Sequence, residues 1–334
     1  MKVSENHKTN LVSVIIPAYN AGKFIAATIQ SVLDQDHPEI ELIIVNDGSE
    51  DNTDHVVMGY LTDPRIQYVF QKNAGCSAAK NTGLRLASGN YIQYLDADDL
   101  LSKDKIREQV AVLKSERCAI AVCRTKSFNK KPEDAGSLEI DSEFLRNSDK
   151  PFEFILNLYG LNGKNGMIQP NAFLITREIA DQIGAYDVSI SPAPDEDGEY
   201  FCRAMLAADK IYFTEKGVNY YRKASDATLS LSKQVSYPYA KGALKSWQLI
   251  TKHLLAVENS ERVRRIMAGY FASFIYLYSQ YKGLGKEAEG EISKLGLKQI
   301  PAAGGENFRK MSKWIGFHNA LFVKNLASSL KKKV

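Results

Sequence analysis

Histidine is scarce in this chain: the 334 residues hold His7, His37, His55, His253 and His318, and none falls between His55 and His253. A zinc or other imidazole-based centre in the middle of the sequence is thereby disfavoured, so metal binding there has to use carboxylates, carbonyls and water. Cysteine is also sparse, and Cys76, Cys118, Cys123 and Cys202 show no metal-type spacing. For a chain this long with no apolar leader before Leu11, reduced thiols and a cytoplasmic protein are the expectation. Long apolar runs are missing too. The longest uncharged stretch, Ile266 to Tyr281, has 16 residues, several of them Tyr, Ser or Gln, and is shorter than the ~20 apolar residues that span a bilayer. Only 10 Pro and 22 Gly, with 44% hydrophobic and 25% charged residues, exclude a disordered or fibrous chain. The length exceeds an average domain of ~150 residues, so a large α/β domain with an appendage, or two domains, is expected.

The net charge of +4 is unevenly placed. From Pro301 onward seven basic residues face Glu306 alone, and the preceding 300 residues are slightly acidic. The body therefore lacks the broad positive field of a nucleic-acid binder, and no nucleic acid is expected as a partner.

Apolar, β-branched runs at Leu11 to Ile16, Leu42 to Val45, Ile66 to Phe70 and Tyr91 to Leu95 read as strands. Helical patterns lie between them: Phe24 to Leu33, for which Asn20 is the expected cap, a polar start at Ser49 to Asp54, and Ser77 to Ala87. This alternation predicts right-handed βαβ units and a mostly parallel sheet covered on both faces. The turn-prone segment Asn129 to Gly136 leads to a second half, with a strand near Met167 to Thr176, a helix from Glu199 to Ala207, and two short strands at Ile211 to Phe213 and Val218 to Tyr221. Beyond Ser236 the pattern is helical, Gly283, Gly285, Gly296, Gly304 and Gly305 loosen the chain, and an amphipathic segment starts at Phe308. The boundaries read as a tail over 1–10, halves over 11–128 and 129–235, and a helical extension over 236–334.

Ligands of open α/β sheets bind beyond the carboxyl ends of strands. Three successive strand ends here carry polar groups: Pro17-Ala18-Tyr19-Asn20, Asn46-Asp47-Gly48-Ser49 and Asp96-Ala97-Asp98-Asp99. Turn formation explains any one of these but explains all three together poorly. Alternating carboxylates at the end of a buried strand supply hard oxygen ligands for Mg²⁺ or Mn²⁺, which also holds phosphates; the competing reading is an acidic helix start capped by Asp98 or Asp99. Asn73 to Ser77 opens a helix with Lys80 and Asn81 on its first turns, which suits an anionic ligand or an ordinary capped helix. A second acidic cluster, Pro194-Asp195-Glu196-Asp197-Gly198-Glu199, stands at a loop-to-helix junction, where acids are favoured in any case and where one carboxylate could act as a general base.

These blocks, in order and spacing, resemble the large inverting family-2 glycosyltransferases with the GT-A fold. The resemblance runs from Val14-Ile15-Ile16-Pro17 through Lys80-Asn81-Thr82-Gly83 and Leu95-Asp96-Ala97-Asp98 to Ile183-Gly184-Ala185-Tyr186-Asp187, Glu196-Asp197 and Tyr221-Arg222, covering about residues 11 to 230. It implies a Rossmann-like GT-A fold with a helical C-terminal extension. It also implies that Pro17, Tyr19 and Asn20 border the nucleoside, Asp47 accepts from a uracil-type base, Asp96 holds the ribose or phosphate region, Asp98 holds Mn²⁺ or Mg²⁺ on the diphosphate, and Asp197 is the general base. The implied activity is hexosyl or N-acetylhexosaminyl transfer from a nucleotide sugar, a UDP-sugar first, to a glycan or lipid-linked saccharide in cell-surface polysaccharide synthesis. Two positions depart from the family pattern. Lys80 stands where Arg is usual and offers a point charge instead of a planar fork, and Arg222 with Lys223 stands where some members place a metal-ligating His, so Arg222 is expected to screen the diphosphate.

Along the tail, Met311, Trp314, Ile315, Leu321, Phe322, Leu326 and Leu330 follow helical spacing between basic residues. This fits an interfacial helix on the inner face of the cytoplasmic membrane, through Phe308 to Val334, and equally a helix packed on the body with a solvated basic face. Two rivals to the transferase reading remain: a non-catalytic nucleotide- or glycan-binding module, and a sugar-nucleotide pyrophosphorylase, an enzyme whose Gly-rich loop after the first strand is replaced here by Pro17 to Ala21.

Overall fold

The computed structural model describes residues 8–116, 119–134, 136–137, 145–193, 196–223 and 235–331. Cys118, Asp195, Lys332 and Lys333 lie outside them. The chain divides into two compact units: residues 1–191 with 200–230, and residues 192–199 with 231–334.

The first unit is built on a nine-stranded sheet. The uninterrupted apolar runs become β1 (Lys8–Ala18), β2 (Ile40–Asp47), β3 (Ile66–Gln71) and β4 (Gly89–Tyr94), ordered β3-β2-β1-β4 and all parallel. Helices α1 (Ile25–Leu33), α2 (Thr53–Met58) and α3 (Cys76–Leu86) make the crossovers. Val12, Val14 and Ile16 of β1 pack with Ile25, Ile29 and Val32 of α1 and Leu42 and Ile44 of β2 in one buried cluster. Gly83 lets α3 approach β1 closely, since a Cβ there would come within 2.3 Å of Ile15 Cγ2.

Past β4 the chain makes the two-residue strand β5 (Leu100–Leu101), then α4 (Lys105–Ser115), β6 (Ile120–Phe128), β7 (Gly136–Ser137), α5 (Pro151–Leu158), β8 (Phe173–Thr176), α6 (Arg177–Ile183), α7 (Glu196–Ala207) and β9 (Ile211–Arg222). The expected strand over Met167 to Thr176 is confined to β8, because Pro170–Ala172 form a 3₁₀ turn. The two short strands expected beyond Ile211 are one long strand. Gly217, at φ +81°, absorbs an irregularity where the pairing of β6 with β9 shifts register. The second half of the sheet runs β4-β8-β6-β9-β5, with β7 on β6. Because β8 is antiparallel to both β4 and β6, and β6 is parallel to β9, strands β1, β2, β3, β4, β6 and β9 all point one way. Their carboxyl ends share one edge, which is where the polar strand-end residues gather. Asn81 on α3 fastens the segment after α6, donating from Nδ2 to the Tyr186 carbonyl at 2.9 Å and accepting the Tyr186 amide at 2.8 Å.

The second unit is helical: α8 (Tyr237–Val257), α9 (Glu261–Leu277), α10 (Lys282–Lys294), α11 (Glu306–Ile315) and α12 (Phe317–Lys331). Trp247 of α8 stacks on Tyr270 of α9 with ring centres 3.9 Å apart. The glycines at 283 and 285 do not loosen the chain as expected. Leu284, Ala288 and Ile292 repeat every four residues, and burying that stripe holds α10 together against glycine's cost. The amphipathic tail is two helices instead of one, because Gly316 at φ +84° ends α11.

A buried polar tie crosses the sheet unit. Lys105 Nζ, with no exposed surface, donates to Gln93 Oε1 and to Gln109 Oε1, the latter at 2.7 Å. Gln93 Nε2 donates on to the Asn171 carbonyl at 3.0 Å, and Gln109 Nε2 to the Ala172 carbonyl at 2.9 Å. Burial pushes the Lys105 ammonium from 10.5 down to about 8. Between these values the unfolded chain binds more protons than the folded one, so this residue makes the fold more stable as pH rises, by about 3 kcal/mol over the whole window. The neighbouring Cys123 thiol, pushed up by burial, works in the opposite direction. The expected outcome is therefore read as a difference: urea unfolding followed from pH 8 upward should show a gain in the wild type relative to Lys105→Met, and equal slopes would refute the assignment.

Candidate active site

The loops after β1 and β2 are laid against each other. Asn20 does not cap α1, whose cap position is Phe24. It sits in the left-handed region at φ +50°, its amide donating to Ser49 Oγ at 3.0 Å and its Oδ1 accepting the Glu50 amide at 2.8 Å. The Ala21 amide donates to Thr53 Oγ1 at 2.8 Å and the Gly22 amide to Asp51 at 3.0 Å. Burial raises the Asp51 carboxyl, but the hydroxyl and amide of Thr53 and the amide of Gly22 outweigh it and hold the group below its usual value. Pro17 is the penultimate residue of β1, and Tyr19, beyond the strand end, exposes 53% of its surface.

Asp47, the last residue of β2, is buried and ties this edge to the start of α3. Its Oδ1 accepts from Gln71 Nε2 at 2.6 Å and the Ala74 amide at 2.9 Å, and its Oδ2 from the Gly75 amide at 2.9 Å. Gly48 permits this approach, since a Cβ there would stand 2.8 Å from the Asn73 nitrogen. Lys80 is buried on α3 with its Nζ 5.2 Å from the centre of the Tyr186 ring, which stacks at 3.9 Å on Tyr200.

The acidic loop is held from four sides. Thr28 Oγ1 donates to the Ala97 carbonyl at 2.9 Å, and the Asp99 amide closes a turn onto the Asp96 carbonyl at 3.1 Å. At the end of β9, the Arg222 amide donates to Asp99 Oδ1 at 2.7 Å and the Arg222 Nε to the Asp98 carbonyl at 2.8 Å. Asn171 accepts the Asp96 amide at 3.0 Å and donates from Nδ2 to Asp99 Oδ2. The Arg222 guanidinium lies between Phe24 and Phe128, 4.8 and 4.4 Å from their ring centres. Asp96 and Asp98 are thus joined in one constellation by Arg222, more than a hundred residues later, and β5, pairing antiparallel with β9, fastens it.

Electrostatically the loop is strained towards neutrality. Burial raises the Asp98 carboxyl, against the pull of its own backbone amide and Arg222. Burial, with the charges of Asp98 and Asp96, drives Asp99 well above the carboxylate range. Arg222 is itself lowered by burial, though Asp98 and Asp99 oppose the shift. Among the described residues no three His, Cys, Asp or Glu side chains converge as a closed metal cage.

Asp197 lies half-buried in the first turn of α7, within the second unit. Its neighbours are structural: Glu196 accepts the Ala193 amide at 3.1 Å, and buried Glu199 pairs with His253 at 2.9 Å. Sequence reasoning missed Asn171, Phe24 and Phe128. Asn171 stands inside a stretch read as strand, and nothing in its neighbours announces a fully buried amide.

The profile described as "Glycosyl transferase family 2" matches residues 13–184, more than half of the chain. The chain belongs to glycosyl transferase family 2. It is 43% identical over 113 residues to the "Putative teichuronic acid biosynthesis glycosyltransferase TuaG" of Bacillus subtilis, covering 33% of this chain and 45% of TuaG. An uncharacterized glycosyltransferase of Rickettsia typhi, RT0329, is 29% identical over 213 residues, 63% of each chain. The chain thus spans less than two thirds of these relatives. Among solved structures, S. aureus TarS 1–349 in complex with UDP-GlcNAc superposes with a TM-score of 0.68 at 19% identity, covering 96% of this chain and 92% of that one. The Pyrobaculum calidifontis mannosyltransferase PcManGT, in complex with GDP-Man and Mn²⁺, superposes at 0.52 and 16% identity, covering 96% and 88%. The fold is therefore GT-A, a mixed α/β sheet with flanking helices and a helical C-terminal region.

The clasp on Asp99 generates a prediction. Asn171→Ala leaves one oxygen of a buried carboxyl without a donor and should cost about 1–3 kcal/mol in urea unfolding. Asn171→Asp adds a further acid beside Asp96 and Asp99, so its deficit should shrink as pH is lowered and the carboxyls take up protons. A deficit that grows on acidification would contradict the arrangement.

Proposed function

We propose that the chain is a divalent-cation-dependent, inverting glycosyltransferase that moves a hexosyl or N-acetylhexosaminyl group from a UDP-sugar to a hydroxyl of a glycan or lipid-linked saccharide. The observation that carries this reading is the acidic loop Asp96 to Asp99, clamped between β4 and β9 with more carboxylate than Arg222 can balance. In this reading Asp98 would hold Mn²⁺ or Mg²⁺ on the diphosphate, and Asp96 the ribose or phosphate region of the donor. Bound there, the cation neutralises charge on the departing nucleoside diphosphate.

The other roles fall to this chain's own groups. Tyr19 offers an exposed ring at the end of β1 for the nucleoside, with Pro17 and Asn20 fixing the loop that carries it. Asp47 keeps the β2 edge and the start of α3 in place and has lone-pair capacity left for a base N–H. Arg222, aligned by its two aromatic neighbours, screens the diphosphate, and Lys80 adds positive charge on α3. Asp197 takes the acceptor hydroxyl's proton as that oxygen bonds to the anomeric carbon and the bond to UDP breaks, which gives inversion in one displacement.

Similar proteins support donor and product class. TarS has been solved with UDP-GlcNAc and with UDP, PcManGT with GDP-Man and Mn²⁺, and GalNAc-T7 with UDP, GalNAc and Mn²⁺. TuaG, named for teichuronic acid biosynthesis, and an Escherichia coli chondroitin synthase, 42% identical over 97 residues, support a role in polysaccharide synthesis. No helix among the described residues is long and apolar enough to cross a membrane. In this reading a lipid-linked acceptor is met by peripheral contact of Phe308 to Val334 with the inner face of the cytoplasmic membrane.

The test is thermal stability with UDP and UDP-sugars, in Mn²⁺ or in EDTA, since a ligand of the folded state raises stability with its concentration. A Mn²⁺-dependent shift is expected in the wild type and in Asp197→Asn, and none in Asp98→Ala. Transfer should fall by about 100-fold or more in Asp197→Asn. Normal turnover in that variant would remove Asp197 as the base, and an unshifted wild type would favour a binding module that has lost its donor site.

A further inference from the structure

The apolar positions of the tail are divided between two uses. On α11, Phe308 is buried and Met311 and Ile315 are half-buried; the Phe308 ring meets Tyr276 of α9 at 4.7 Å and Phe317 of α12 at 5.5 Å. On α12, Ala320 is buried and Phe317 and Leu321 are half-buried. Two polar ties fix the same side of α12: Lys324 Nζ donates to the Tyr276 carbonyl at 2.6 Å and lies 4.2 Å from that ring's centre, and Ser279 Oγ donates to Asn325 Oδ1 at 2.9 Å. These residues are committed to the helical unit and are not free to enter a membrane.

A different set remains. Phe322, Val323 and Leu326 of α12 share one face by their three- and four-residue spacing and expose 69%, 44% and 53% of their surface. On α11, Trp314 exposes 91% and lines a shallow surface depression with Lys310, Met311 and Lys313. Arg309, Lys310 and Lys313 are exposed, Lys331, Lys332 and Lys333 follow further along the sequence, and Glu306 is the single acid beyond Pro301, already paired with Lys310 at 2.7 Å.

We infer that Trp314, Phe322, Val323 and Leu326 dock on the surface of an anionic lipid bilayer, with the surrounding basic residues supplying the attraction. This deepens the membrane contact in the proposed function and rests on that reading only for the acceptor it serves; the donor-site chemistry plays no part in it. Charge selects the occupant. An anionic interface complements a segment with seven bases and one acid, whereas a second copy would bring the same positive charge to meet it. Four exposed apolar side chains also fall short of the roughly 1,000 Å² that a stable protein interface buries, but suffice for shallow insertion among headgroups, where Trp is favoured.

The test uses the full chain with vesicles of phosphatidylcholine alone or mixed with phosphatidylglycerol. Trp247→Phe leaves Trp314 as the one tryptophan, because the chain has two. Its emission should shift to the blue on the anionic vesicles and stay unchanged on the neutral ones, and the protein should sediment with the former and be released by salt. The triple variant Trp314→Ser/Phe322→Ser/Leu326→Ser alters only exposed positions and should lose about tenfold or more in vesicle affinity while keeping its melting temperature. Failure of the wild type to sediment with anionic vesicles, or equal binding by the triple variant, overturns the inference. So does self-association in ultracentrifugation that the triple variant abolishes, which would assign the face to a second copy. The Mn²⁺-dependent shift with UDP, measured without vesicles, reports separately on the donor site.

Discussion

A carboxylate with no exposed surface and two further acids within three positions has to be held by donors that the rest of the chain brings to it. For Asp99 these are the backbone amide of Arg222, more than a hundred residues later, and the side chain of Asn171. Much of the sheet's topology serves that meeting. Because β6 and β9 point the same way as β1 to β4, the ends of β9 and β4 arrive at one edge, and the two residues of β5 hold the returning chain against β9. A reversal of β9 would carry Arg222 to the opposite edge and leave Asp99 buried beside like charges with half of its hydrogen bonds missing, a cost of several kcal/mol.

How much of this could be read from the residues depended on how local the cause was. β1, β2 and β4 were legible because strands covered on both faces are continuous apolar runs, and the acid-rich strand end was legible because its charges are adjacent. Asparagine suits a helix cap, which makes Asn20 the expected one, yet its side chain serves the Glu50 amide across the edge, a partner that no local pattern names. β6 begins with four buried residues and continues through exposed Arg124, so it shows neither a run nor an alternation. Asn171 was invisible for the same reason as β5: each is defined by a partner distant in sequence.

The helical unit shows the same limit from the other side. Glycines predict a loosened chain after Tyr281, but a four-residue apolar stripe on α10 outweighs them. The basic amphipathic tail was legible as a pattern, whereas which apolar residues face the protein was not. The hydrophobic period alone cannot separate a stripe that packs from a stripe that waits for a partner, because both have the same spacing. The division is set at Gly316, where the break lets α11 and α12 turn different sides to the unit.

The buried lysine and the acidic loop of the sheet unit are held differently, and the contrast separates scaffold from site. Lys105 is met by the neutral oxygens of Gln93 and Gln109, and its falling proton affinity lets it approach neutrality where it lies. Nothing about it calls for an outside partner. Asp96, Asp98 and Asp99 face one guanidinium, whose Nε is spent on a backbone carbonyl. Hydrogen bonds satisfy Asp99 and fix Asp96, and the upward push of burial on the Asp98 and Asp99 carboxyls marks charge that the loop's own donors do not balance. A scaffold is stabilised by shedding such an excess, and substituting one acid by its amide would do so at little geometric cost. That three acids stand together at the convergent edge of six parallel strands is the physical ground on which the proposal of a cation site in this loop rests.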